Sequence, residues 1–142
     1  MRSEFILELS KKLNERNLFP IGCLQKEMEQ LENYAHFPLP KTYKEFMAFM
    51  GRGAGDYLAD MNITYKKVFE NKNSMNELLE EDTSDFKLSE TDFVFSSYQG
   101  EQFMYFNLRE GDNPPVYYYI EGTSKVPRKI YDSFTEYILD LF

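Results

Sequence analysis

Cys23 and His36 are the only cysteine and the only histidine in the chain, and together they are the residue types of a thiolate nucleophile and its base. Nothing around Cys23 is basic enough to favour the thiolate, so the thiol reads as a small buried hydrophobe. His36, next to Phe37, reads as a solvent-edge or core-edge residue. A zinc site built from several such ligands is excluded by their number, and no structural metal or cofactor is expected. The cluster Gly51-x-Gly53-x-Gly55 has the look of a phosphate loop. It follows a helical pattern rather than joining a strand to a helix, and no lysine stands in the Walker position, so it reads as a helix exit. Glu80 and Glu81 would do acid–base work only if buried and held opposite one another; a run of acids beside a loop is ordinarily a solvated face. Tyr117-Tyr118-Tyr119 could stack bases, but single-strand binders set such rings in a basic groove.

The charge balance speaks against that groove. The chain has 142 residues, with 24 Asp and Glu against 16 Lys and Arg, a net charge of −8. This disfavours direct contact with nucleic acid or an anionic membrane and favours a basic protein partner. The excess is concentrated: between Glu77 and Asp92 stand seven acids, Glu77, Glu80, Glu81, Asp82, Asp85, Glu90 and Asp92, against Lys87 alone. A single cysteine allows no internal disulfide, and the first apolar residues are interrupted by Glu8, Lys11 and Lys12, so neither a signal-peptide core nor a membrane span is expected. The expected compartment is the cytoplasm. A chain of this length can bury about 68 to 70% of its unfolded surface in one domain, and with 13 Phe, 11 Tyr and no Trp aromatic rings must carry much of the packing.

The elements that must position these residues follow from periodicity. Phe5, Ile6, Leu9 and Leu13 predict a helix over 3–15 with Ser3 as N-cap. The next stretch, 14–22, is a loop in which Leu18, Phe19 and Ile21 are expected to anchor on the core. A second helix from about Leu24 to Tyr34 places Leu24, Met28 and Leu31 inward and Glu27, Glu29 and Glu32 toward water. Pro38 and Pro40 keep Phe37 and Leu39 extended. A central helix then carries Tyr43, Phe46, Met47 and Met50 on one face. Either Pro40 is its first residue or Thr42 and Glu45 form a capping box, and Gly51 is expected to take positive φ at its end. Residues 56–63 partly alternate, as a short strand would, and Ser74 with Glu77 predicts a brief helix ending near Asp82.

From Asp92 the period is two. Phe93 and Phe95 oppose Val94 and Ser96; Tyr98-Gln99-Gly100-Glu101 turns; Phe103 and Tyr105 oppose Met104, Phe106 and Leu108. Glu110 to Asn113 turns again into Val116–Ile120, where Tyr117 and Tyr119 oppose Val116, Tyr118 and Ile120. Helices are expected to cover one face of this sheet and half-exposed tyrosines to occupy the other. Gly122-Thr-Ser is a further turn, and Pro127 restricts 126–131 to a sheet edge. Ser133 and Glu136 cap a last helix that buries Phe134, Tyr137, Ile138 and Leu141. The order is an α+β domain of N-terminal helices, a central antiparallel β-meander and a C-terminal helix packed on one face, a single domain over 1–142.

Glu29-Gln-Leu-Glu32, Leu39-Pro40, Tyr43, Phe46 and the glycine-closed helix, followed by Pro115-Val116-Tyr117 and Ser133-Phe134-Thr135-Glu136-Tyr137, resemble the SUKH superfamily from about Cys23 to the C-terminus. Its members include bacterial toxin-immunity proteins and the fungal Smi/Knr cell-wall regulators. One departure stands out: the family usually ends the central helix in Asn-Gly-Gly, where this chain has Met50-Gly51-Arg52-Gly53. The resemblance implies a non-catalytic immunity protein, monomer or weak dimer, that neutralises a cognate toxin, often a nuclease. The alternative is a regulatory or scaffold interaction domain of the Smi/Knr type. A nuclease that grips phosphates is basic, so the acids Glu77, Glu80, Glu81, Asp82, Asp85 and Asp92, with Tyr117 and Tyr119 of the aromatic strand, are the candidate partner-binding residues.

Overall fold

A computed structural model describes residues 2–122 and 126–142; Thr123 and Ser124 of the expected turn after Gly122 lie outside them. The first helix, α1 (Glu4–Glu15), starts where Ser3 Oγ accepts the Ile6 N–H at 3.3 Å and buries Phe5, Ile6, Leu9 and Leu13. The loop after it departs from expectation. Leu18 packs on the core, but Phe19 and Ile21 are exposed. Backbone bonds hold this loop instead: Ile21 N–H donates to Gly53 O at 2.9 Å, Arg52 N–H to Ile21 O at 2.8 Å and Cys23 N–H to Met47 O at 2.9 Å.

Helix α2 (Gln25–Ala35) buries Met28, Leu31 and Ala35 and closes on His36 in the left-handed region at φ 64°. Leu24 is its N-cap and is exposed rather than inward. Helix α3 (Lys41–Met50) begins after Pro40, which is the N-cap and not the first helical residue. Thr42 is drawn away from Glu45: its N–H and its Oγ1 both donate to Asp112 O at 3.0 Å, tying the helix start to the loop at 110–113. Gly51 has right-handed φ of −62°, contrary to expectation, and the positive values fall on Gly53 and Gly55. Gly51 is required for another reason: a Cβ there would lie 2.4 Å from Cys23 Sγ and 2.5 Å from Met47 O.

Residues 56–63 form turns and single bridges, with Leu58 at positive φ, rather than a strand. Short α4 (Tyr65–Val68) and then α5 (Asn71–Glu81) follow. The latter begins three residues before Ser74, because Asn71 is buried and donates to Asn62 O at 2.7 Å while accepting from Ser97 Oγ at 2.8 Å. A tertiary bond thus sets the start, and the Ser74–Glu77 pair lies inside the helix.

Four antiparallel strands, β1 (Asp92–Tyr98), β2 (Gln102–Asn107), β3 (Val116–Ile120) and β4 (Arg128–Tyr131), pair in sequence order. A bulge between Val94 and Ser96 sets Ser96 opposite Met104, on the face of Phe95 rather than across from it. Phe93, Phe95, Met104, Phe106 and Val116 meet α1, α2, α3 and α6 (Phe134–Asp140) in the larger core. Tyr43 sits inside it, edge-on to Phe93 and Phe106 at 5.3 Å and to Phe134 at 5.6 Å. Phe46 is buried against Phe134 at 5.7 Å, so α3 meets the sheet through Tyr43 and the last helix through Phe46. On the opposite face Val94, Phe103, Tyr105 and Tyr119 pack on Met75, Leu78 and Leu79 of α5. The architecture is α+β, with both sheet faces covered. The expectation of half-exposed tyrosines on the second face holds for Tyr117 and is corrected for Tyr105 and Tyr119, which are buried in the cluster with α5.

Candidate partner-binding surface

The amphipathic pattern of α5 decides where the acids go. Met75, Leu78 and Leu79 are pinned to the sheet, so Glu77, Glu80 and Glu81 stand on the exposed side, and Asp85 is exposed just beyond the helix. Three of these four carboxylates stand on one helix packed against the sheet, and Asp85 lies in the loop just after it.

The other four candidates are engaged inside the protein. Tyr119 is 1% exposed and its hydroxyl donates to Asp82 Oδ2 at 2.5 Å, a bond that ties β3 to the end of α5. This corrects its placement on the surface. Burial and then the Asp82 carboxylate push the Tyr119 hydroxyl up to about 12. Asp92 accepts from the Ser89 N–H at 2.8 Å and from Asn107 Nδ2 at 2.9 Å, closing the start of β1. Tyr117 remains half-exposed, stacked on Tyr105 at 5.3 Å, and donates to both oxygens of Glu110 at 3.0 Å. Its hydroxyl is raised by burial and by that carboxylate.

Cys23 and His36 flank α2, whose 11 residues separate its ends by about 16 Å. Burial, with Glu27 adding to it, raises the Cys23 thiol to about 11, so it stays protonated at neutral pH. His36 is exposed. Among the described residues no three of His, Cys, Asp and Glu converge as a metal site would require.

One feature was invisible in the chain's pattern. Glu27 was expected to face water but is 5% exposed. Its carboxylate accepts Arg52 Nε at 2.9 Å and Nη2 at 2.7 Å, and Oε1 also accepts the Leu24 N–H at 2.8 Å. The Arg52 hydrogen bonds, then the Leu24 amide, hold this carboxyl below the usual carboxylate range. Arg52 occupies the very turn where the chain departs from Asn-Gly-Gly. A glutamate three residues after a leucine gives no side-chain capping signal, since leucine has no acceptor; its partner lies 25 residues away.

Among the described residues no helix is long and apolar enough to cross a membrane. No curated protein shows a significant match to the chain. The SUKH family described as SMI1-KNR4 cell-wall matches residues 25–138, a span that runs from the first residue of α2 through the buried Ile138 of α6 and takes in the whole sheet. The chain belongs to that family.

Proposed function

We propose that this protein is a non-catalytic immunity protein that binds a cognate toxin, and that the outer side of α5 is the surface a basic toxin domain meets. Family membership supports the general role, since SUKH proteins include toxin-immunity proteins. The observation that carries the surface is the separation of α5 into two sides: one fixed on the sheet, the other presenting Glu77, Glu80 and Glu81 to solvent beside Asp85. Like charges held together on a fixed helix raise the local potential, and that potential accelerates encounter with a cationic partner. Half-exposed Tyr117 would supply an aromatic contact on the same sheet face. A nuclease toxin acts where nucleic acid is, which places this function in the cytoplasm, with the protein acting as a monomer or weak dimer and without a cofactor.

The test is kinetic. Glu77→Gln, Glu80→Gln, Glu81→Gln and Asp85→Asn combined should lower the association rate with the toxin about tenfold or more at 0.01 M salt. The difference should shrink toward unity at 0.15 M, where the Debye length falls from about 30 Å to about 8 Å. Equal association rates for the variant and the parent at low salt would refute the surface. The family's cell-wall description favours a second reading, a regulatory interaction domain. Several unrelated partners recovered with the protein, and none of them a toxin, would support it.

A further inference from the structure

We propose a second docking surface, remote in chemistry from α5, that takes an acidic protein segment carrying a bulky apolar side chain. It is the groove of about 440 Å³ bounded by Ile21, Glu27, Arg52, Thr64, Tyr65, Lys66 and Lys67. Three segments are stitched together to make it. The Ile21 and Arg52 backbones bridge to each other, and Tyr65 N–H donates to Gly51 O at 2.7 Å, laying α4 alongside.

Arg52 is the fixed point. Its paired contact with Glu27 uses two of the five guanidinium N–H donors and sets the plane of the group. The Arg52 side chain is still 44% exposed, so the remaining donors are available to a carboxylate arriving from outside. Lys66 and Lys67 are exposed beside it, Lys67 being steadied by Ala59 O at 2.8 Å. Among the described residues lining the groove, the Glu27 carboxylate alone stands against these three cations, and Arg52 already pairs with it. A cationic pocket in a chain of net charge −8 selects a partner of the opposite kind from the one that α5 would attract.

Ile21 supplies an apolar anchor in the groove itself, and Phe19 and Leu24 are its near neighbours in sequence. Phe19, Ile21 and Leu24 are 78%, 57% and 56% exposed, three of the seven large hydrophobic residues left open among the described residues, within six positions of sequence. Ile21 cannot retreat, because its N–H and C=O are both bonded to the 52–53 backbone. An exposed Ile21 held open beside Arg52, Lys66 and Lys67 matches a segment in which Asp or Glu alternates with Leu, Ile or Phe: the apolar side chain supplies burial and the carboxylates supply orientation.

The experiment titrates the ¹⁵N-labelled full chain with a pool of octapeptides carrying Asp or Glu at four positions and Leu, Ile or Phe at two. Comparison pools replace the acids with Asn and Gln, or the apolar residues with Ser; inorganic phosphate and a dilution series of the protein alone complete the set. The acidic–apolar pool should shift the amides of Ile21, Arg52, Lys66 and Lys67 and the Arg52 Nε–H. Both comparison pools should bind at least about tenfold more weakly, and Lys66→Glu and Ile21→Ser, both at exposed positions, should each cost about tenfold. The proposal is overturned if millimolar acidic–apolar peptide shifts nothing or shifts α5 instead. It is also overturned if phosphate alone matches the effect, which would make this a small-anion site, or if dilution alone moves the same resonances, which would make the occupant a second copy. Toxin association through α5 is read separately, so neither result decides the other.

Discussion

Replacing Gly22 with Ala should be among the most damaging single-methyl additions in this protein. A Cβ at that position would stand 1.8 Å from Ala48 O and 2.8 Å from Ala48 C. Both are backbone atoms in the last turn of α3, the helix that the core is built around, so no side chain can swing aside. Real Cβ contacts essentially never fall under 3.0 Å, so the loop must withdraw by at least about 1.2 Å. That shift breaks the 2.9 Å bond from Cys23 N–H to Met47 O and loosens the two bonds between Ile21 and residues 52–53. Overpacking strain costs about 1 to 3 kcal/mol, and each hydrogen bond lost about 1 kcal/mol, less where water can replace it. The expected destabilisation is therefore about 2 to 4 kcal/mol, read in urea unfolding as a lower midpoint with an unchanged slope and in thermal unfolding as a fall of about 6 to 15 °C. Gly111→Ala is the comparison: it has positive φ of 91° but nothing within 4 Å of the added methyl, so it should cost only about 1 kcal/mol, the price of the backbone conformation. Equal losses for the two variants would show that Gly22 serves only as a flexible link and would refute the close approach.

Two further outcomes are expected. Phe46→Ala, at a site 1% exposed against Phe134, should cost about 3 to 5 kcal/mol in chemical denaturation, and a loss below about 1 kcal/mol would contradict its packing. For Glu27, the folded carboxyl lies below its ordinary value because Arg52 hydrogen-bonds it. Its contribution is therefore fully present above the unfolded value of about 4.3 and is lost as pH falls through the folded value. Glu27→Gln should be less stable than the parent at pH 7, with the two curves converging below about pH 4; curves that stay parallel down to acid pH would show that the ion pair adds nothing.

Much of the fold was legible in the chain because it is written in local periodicity. Phe5, Ile6, Leu9 and Leu13 recur at helical spacing, Tyr43, Phe46, Met47 and Met50 do the same, and 92–120 alternates; each pattern buries one face whatever lies opposite. Ser3 and Ser133 cap their helices through bonds only three residues long, which the sequence alone can specify. The acidic run was equally plain, since charge needs no partner to be counted. What lay opposite each face was decided by tertiary structure. Alternation shows that β3 has two faces but not that α5 covers the second, so Tyr119 and Asp82 read as surface although each is engaged by the other across 37 positions. The start of α5 follows a buried Asn71 whose partners are Asn62 and Ser97, and this outweighed the local Ser74–Glu77 signal. Gly22 reads as the end of a loop and Gly51 as a helix end with positive φ, yet the first is required by the α3 backbone and the second by the Cys23 side chain and the Met47 carbonyl. Glu27 and Arg52 were each an ordinary surface charge until folding brought them together. Hydrophobic spacing is a property of one segment, whereas burial of a polar group or the need for a missing Cβ depends on a second segment whose position only the folded chain supplies.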